Sequence, residues 1–176
     1  MLGRWLSRGS VRVASWPEFR PRALLKRLTA RGVEFVVVGG FAAVAHGSAR
    51  VTRDLDICFA TDSANLEALG EVLVDLGARL RGVTDDVPFR PDAATLRRVR
   101  VLTLETIDGP LDVLVEPDGA PAYPALRARS ERLDIGGMLV AVASLEDMIS
   151  MKRAAGRPKD LLDLEELEAL ARLRER

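Results

Sequence analysis

Two aspartates separated by one residue, Asp54 and Asp56, sit in a stretch, residues 51–59, where polar and apolar side chains alternate. A period of two predicts a strand, with Asp54, Asp56 and Cys58 on one face and Leu55, Ile57 and Phe59 on the other. Carboxylates held side by side repel and resist ionisation until a cation neutralises them. Their all-oxygen donor set favours Mg2+ or Mn2+ over zinc. A third acid on a neighbouring strand would complete a two-metal site, with ions roughly 3.5–4 Å apart. Asp112, alone among the apolar residues of 110–115, is the choice for that acid, and Glu105, which also interrupts a strand, is its rival. Upstream, Val36-Val37-Val38 runs into Gly39-Gly40 and then a short helix. Such a turn offers backbone N–H groups to an anion, and glycine lets a phosphate come close to the chain.

A cation stands apart from these acids. Leu145, Met148, Ile149 and Lys152 recur at helical spacing. A lysine on an otherwise apolar stripe calls for an anionic partner, and a triphosphate is one; the plain alternative is an exposed helix charge. His46, the only histidine, reads as a helix-terminal residue bonded to backbone. Cys58 reads as a small packed residue.

The elements that would position these groups follow from periodicity. Helices are predicted over 21–31, 41–45, 62–76, 121–129, 145–155 and 158–173. Strands are predicted over 33–38, 51–59, 99–107 and 111–115, the last two joined by an Asp108-Gly109 turn. A second hairpin pairs 132–135 with 138–142 around Gly136-Gly137. Residues 78–91 give no clear pattern. Ser144 and Asp147 frame a capping box with Asp in place of Glu. The class is α/β (α+β), a small mixed sheet flanked by helices. Three segments are expected: a basic, poorly ordered leader over 1–20, a core over 21–143, and a helical part over 144–176 that closes the site.

Composition excludes several functions. The 176 residues suit one domain with a small extension. Lys plus Arg and Asp plus Glu are 26 each, so no global basic signal points to nucleic acid. Locally, Arg4, Arg8, Arg12, Arg20, Arg22, Lys26, Arg27 and Arg31 face Glu18 alone, a basic stretch suited to RNA phosphates. One cysteine forms no internal disulfide and fits the cytoplasm. No apolar run approaches the roughly 20 residues of a membrane span.

The order strand, Gly39-Gly40, short helix, Asp54-Leu-Asp56 resembles the active-site signature of the DNA polymerase beta-like nucleotidyltransferase superfamily. Within it, His46-Gly47, Arg50, Thr52, Asp54-Leu-Asp56 and the run Lys152-Arg-Ala-Ala-Gly-Arg157-Pro-Lys159-Asp160 resemble the AbiEii/MenT-type enzymes, many of them bacterial toxins. The resemblance covers about residues 33–170 and implies the nucleotidyltransferase fold. It implies transfer of a nucleoside monophosphate from an NTP to an acceptor, tRNA or another RNA end foremost. A small molecule or a protein side chain is the alternative acceptor, and a non-catalytic nucleotide- or antitoxin-binding module the alternative role. A cognate antitoxin is the implied partner.

On this chain the resemblance implies metal ligands at Asp54, Asp56 and Asp112. Its nucleotide-binding groups are Gly39, Gly40, Lys152, Arg157, Lys159 and Asp160. Without resemblance, Arg157 and Lys159 read as a solvated turn and Asp160 as a first-turn acid. Lys152, Arg157 and Lys159 are expected to repel one another until an anion binds. Where the superfamily has Gly-Ser, this chain has Gly39-Gly40-Phe41; either backbone donors suffice or Ser48 supplies the hydroxyl.

Overall fold

The computed structural model describes residues 18–83 and 89–174, with the side chain of Lys159 also outside the description. The expected leader lies outside the described residues except for its last three. In chain order the elements are α1 (Pro21–Ala30), β1 (Phe35–Val38), α2 (Gly39–Ala45), β2 (Leu55–Phe59), α3 (Ser63–Asp75), β3 (Arg79–Leu80), α4 (Ala93–Leu96), β4 (Val101–Thr106), β5 (Gly109–Leu114), α5 (Tyr123–Arg129), β6 (Glu131–Asp134), β7 (Leu139–Val142), α6 (Leu145–Ala155) and α7 (Pro158–Arg174). The strands form one mixed sheet in the order β3-β4-β5-β2-β1-β7-β6. Only β1·β7 and β2·β5 run parallel.

The pleat sorts the sheet into a greasy side and a chemical side. Leu55, Ile57, Phe59, Leu111 and Val113 are wholly buried. They share one core with Leu24, Leu25 and Leu28 of α1 and Leu66, Leu69 and Leu73 of α3. Each such burial contributes about 1.5–3 kcal/mol relative to exposure. Asp56 and Asp112, one position out of phase, therefore leave the opposite face.

Caps fix the helix starts. Asp62 accepts from the Asn65 N–H at 3.0 Å to open α3, and Ser144 accepts from the Asp147 N–H at 3.2 Å to open α6. The Asp147 carboxylate in turn accepts from the Ser144 hydroxyl at 3.1 Å and pairs with Arg129.

Among the differences from expectation, three have local causes. The strand predicted over 51–59 begins only at Leu55. Ahead of it, the Thr52 hydroxyl bonds the Asp54 carboxylate at 3.0 Å and the Asp54 carbonyl at 3.3 Å. A local side-chain bond of this kind competes with ladder formation. The β4–β5 turn is Ile107-Asp108, one residue earlier than predicted, because Thr106 pairs with Gly109. Asp108 is buried and held at 2.8 Å by both Arg20 and Arg27. A Cβ on Gly109 would lie 2.9 Å from the Phe19 backbone, so the hairpin docks on the chain entering α1. In the stretch that gave no pattern, β3 is two residues long, too short for any period to show. The short α4 that follows, capped by Asp92 on the Thr95 N–H at 2.8 Å, was not foreseen.

Candidate active site

Parallel pairing of β2 with β5 sets Asp56 directly opposite Asp112. Asp54 precedes β2 by one residue. All three acids line one cavity of about 290 Å3, together with Gly39, Gly40, Thr52, Lys152 and Arg157. Burial first, then the charges of Asp54 and Asp112, push the Asp56 carboxyl up to about 7. Burial also raises Asp112, against the pull of the Arg81 guanidinium.

Glu105 lies on the same face as Asp112, because it pairs with Pro110, two residues back along β5. What separates the rivals is distance along the strand, not the face: Glu105 does not line the cavity. Arg81 joins them, reaching Asp112 Oδ1 at 2.8 Å and Glu105 Oε1 at 3.3 Å.

The glycine turn has an immediate steric role. Gly39 has φ +66, and a Cβ there would fall 2.2 Å from Asp56 Oδ2. A Cβ on Gly40 would fall 2.8 Å from Thr52 Oγ1. These glycines make room for Asp56 and Thr52, and not only for a phosphate. Ser48, proposed as a replacement hydroxyl, is buried, accepts from the Arg50 N–H at 3.2 Å and does not line the cavity. The hydroxyl beside the turn belongs to Thr52.

The expectation of repelling cations is corrected. Lys152 Nζ donates to Asp160 Oδ1 at 3.0 Å and to Asp163 Oδ2 at 2.6 Å. Arg157 Nε donates to Asp160 Oδ2 at 2.8 Å. Arg50 also pairs with Asp163. Lys152, Arg157 and Arg50 are thus each paired with a carboxylate, three cations on two acids. Asp160 is fully buried, so it faces Lys152 and Arg157 rather than the cavity, and Arg157 foremost holds its carboxyl well below the usual carboxylate range. Lys159 opens α7, with its side chain outside the described residues.

Sequence reasoning passed over Arg81, named Thr52 in the motif without a role, and ranked Asp163 below Asp160. Arg81 lay in the patternless stretch. Asp163 carried the one available signal, its spacing of three from Asp160 on a helix. His46 Nε2 lies 2.7 Å from the Ala143 carbonyl, which makes it a bolt between α2 and the end of β7. Cys58 donates to the Val115 carbonyl at 3.2 Å and burial pushes its thiol up to about 12, so it is a packed residue.

The same architecture occurs in solved nucleotidyltransferases. The antibiotic-resistance factor ANT(2″)-Ia, in its solution structure, is 19% identical with TM-score 0.54, over 88% of this chain and 89% of that one. Its crystal structure in complex with adenylyl-2″-tobramycin gives 19% identity and TM-score 0.52, over 88% and 95% of the two chains. The lincosamide antibiotic adenylyltransferase LnuA, lincomycin-bound, gives 16% identity and TM-score 0.58, over 85% and 95%. These likenesses show the fold. Among curated proteins none matches. Residues 23–174 match the family described as "Nucleotidyl transferase AbiEii toxin, Type IV TA system". That span holds the three acids, the glycine turn and the paired cations, and the chain belongs to the AbiEii family of nucleotidyltransferase toxins.

Proposed function

We propose that the chain transfers a nucleoside monophosphate from an NTP to a hydroxyl on an RNA end, tRNA foremost, with Mg2+ or Mn2+ bound by Asp54, Asp56 and Asp112. The observation that carries this reading is the meeting of Asp54, Asp56 and Asp112 with Arg50, Lys152 and Arg157 around one cavity. The donor set suits a hard divalent cation: three carboxylates, no nitrogen or sulfur, and an Asp56 whose ionisation is opposed until positive charge arrives. Among the described residues no three His, Cys, Asp or Glu side chains are grouped so as to hold a metal ion as they stand. Arg81 engages Asp112, so this pair must loosen for Asp112 to join the other two acids on a cation. When bound, the metal supplies Lewis-acid polarisation of phosphoryl oxygens and favours ionisation of the attacking hydroxyl.

The chain's own groups would do the rest. Asp112 accepts the proton of the acceptor hydroxyl as its oxygen attacks the α-phosphorus. The bond from the α-phosphorus to the bridging oxygen breaks and pyrophosphate leaves. Lys152 has three N–H donors, of which Asp160 and Asp163 take two. With Arg157, it stabilises charge on the departing pyrophosphate. Asp160 and Asp163 act as positioning residues for both cations.

The RNA arm of the reading draws on the basic N-terminal stretch. In the described part, Arg20 and Arg27 pair with Asp108, and Arg31 pairs with Glu71 and Asp75, so that stretch is less free for phosphate than its composition suggests. The family implies nucleotide substrates and a cognate antitoxin. The cytoplasm, where NTP and tRNA meet, is the compartment this reading requires. Among the described residues no helix is long and apolar enough to cross a membrane.

The test is incubation of the pure protein with each α-labelled NTP, Mg2+ and total RNA. Label on RNA, with stoichiometric pyrophosphate, is the expected result. Pyrophosphate release without RNA would move the acceptor to a small molecule or to protein. Nucleotide binding with no pyrophosphate under any condition would leave a binding module.

A further inference from the structure

A second cavity, about 540 Å3 against about 290 Å3, borders the first. Gly39, Asp56, Lys152 and Arg157 line both, so they form the ridge between them. The two spaces differ in chemistry. All three acids line the first, whereas Asp56 alone of them reaches the second. One wall of the second is the strand pair Val101 and Leu114, which stand opposite one another on β4 and β5. Met148, Met151 and Ala155 of α6 line it too. Glu116 and Asp118 are exposed and also border it, and Asp118 is held only loosely, 3.7 Å from Arg100.

We propose that this second cavity receives the base and ribose of the donor nucleotide, held between the Val101–Leu114 wall and the methionines of α6, and that Glu116 selects a base bearing an exocyclic amine. The inference rests on the nucleotidyl-transfer reading above and adds to it a nucleoside subsite and a base preference. An NTP is amphiphilic: a polyanionic tail and a flat ring with two apolar faces. The ridge carries the cations the tail needs, and the adjoining slot carries the apolar surface the ring needs. Its volume falls in the range of small-molecule sites. Methionine sulfur adapts to a ring and makes favourable contact with it.

Two observations assign the slot to the donor rather than to the acceptor. Asp112, the proton acceptor, opens on the first cavity alone, so the attacking hydroxyl enters from that side. Beyond the ridge, Arg100 is outnumbered by Glu116 and Asp118, so that end of the slot opposes the phosphates of an RNA. A carboxylate offers acceptors only. Adenine, cytosine and guanine each present an amine to such a group, and uracil presents none.

The experiment is calorimetric titration of the full-length protein in Mg2+ with inorganic tripolyphosphate and with α,β-methylene analogues of ATP and UTP. Val101→Trp and Ala155→Trp fill the slot from opposite walls at exposed positions, so misfolding of one leaves the other. The wild type should bind the ATP analogue about tenfold tighter than tripolyphosphate. Either tryptophan should erase that difference and leave tripolyphosphate binding unchanged. Glu116→Gln should bring the ATP and UTP analogues to within about twofold of each other. Wild-type-like affinity for the ATP analogue in both tryptophan variants, with slowed transfer, would assign the slot to the acceptor and overturn the proposal. A wild-type preference for UTP would overturn the role of Glu116. A wild type that binds neither tripolyphosphate nor nucleotide would instead overturn the donor reading, and this inference with it.

Discussion

Asp56 and Asp112 share one rung of the sheet, directly opposite on parallel strands though remote in sequence. Without a cation this is an energetic liability. Asp56 titrates near 3.8 when unfolded and near 7 when folded. The folded protein therefore binds the extra proton between those values, and stability falls as pH rises from about 4 to about 7. Asp56→Asn should raise the melting temperature of the EDTA-treated protein at pH 8, by a free energy on the order of a few kcal/mol. The gain should shrink toward pH 4. Added Mg2+ should stabilise the wild type and not the variant at pH 8, and Asp54→Ala or Asp56→Ala should abolish transfer. Identical melts of Asp56→Asn and wild type at pH 8 would remove the strained-carboxylate account.

Asp112→Asn should lose transfer while Glu105→Gln retains most of it, because only Asp112 reaches the cavity. Arg81→Met leaves both acids without their shared cation and should cost about 1.5–3 kcal/mol in urea unfolding. Equal activity loss in the Asp112 and Glu105 variants would point to Arg81, their common partner, as the group that matters.

Lys152→Met should destabilise the ligand-free protein, by about 1.5–3 kcal/mol, because it strips a partner from buried Asp160 and from Asp163. It should also erase the rise in melting temperature that NTP with Mg2+ gives the wild type. Asp160 adds a pH signature. Its folded carboxyl lies below the usual range, so its contribution is present above about pH 4 and lost as pH falls further. In Asp160→Asn this acid limb of the stability profile should flatten. An unchanged limb would show that Asp160 is not the group titrating there.

The signature acids, the glycine turn and the inward lysine were legible because each breaks a local pattern: acids in an apolar strand, a lysine on an apolar stripe. Their charge balance was not legible. Asp160 and Asp163 looked like ordinary helix acids, since nothing in a helical repeat announces that one of them is wholly buried under a cation. Arg81 was invisible because a two-residue strand has no period. The fold class followed from alternation and helical spacing. The meeting of β2 with β5 is a long-range pairing that local propensity does not encode.

A serine at position 40 would compete with Thr52 for one space. Gly40→Ser alone should cost about 1–3 kcal/mol through overpacking, since its Cβ would fall 2.8 Å from Thr52 Oγ1. Thr52→Ala added to Gly40→Ser should recover much of that stability. Thermal melts of the four proteins give the coupling energy. Additive effects would show that the turn shifts to make room by itself.

The order in which the chain delivers its charges has a biological corollary. A polypeptide elongated only through β5 carries Asp54, Asp56 and Asp112, but Lys152, Arg157 and their counter-ions belong to α6 and α7. On the proposed reading, a toxin built this way cannot hold the triphosphate while it is being translated. Transfer would then begin only when the last helical pair has folded back, and a cleavage between β7 and α6 would disarm the chain while sparing Asp54, Asp56 and Asp112. Degradation from the C-terminal side is thus a route by which a cell holding such a protein could escape it.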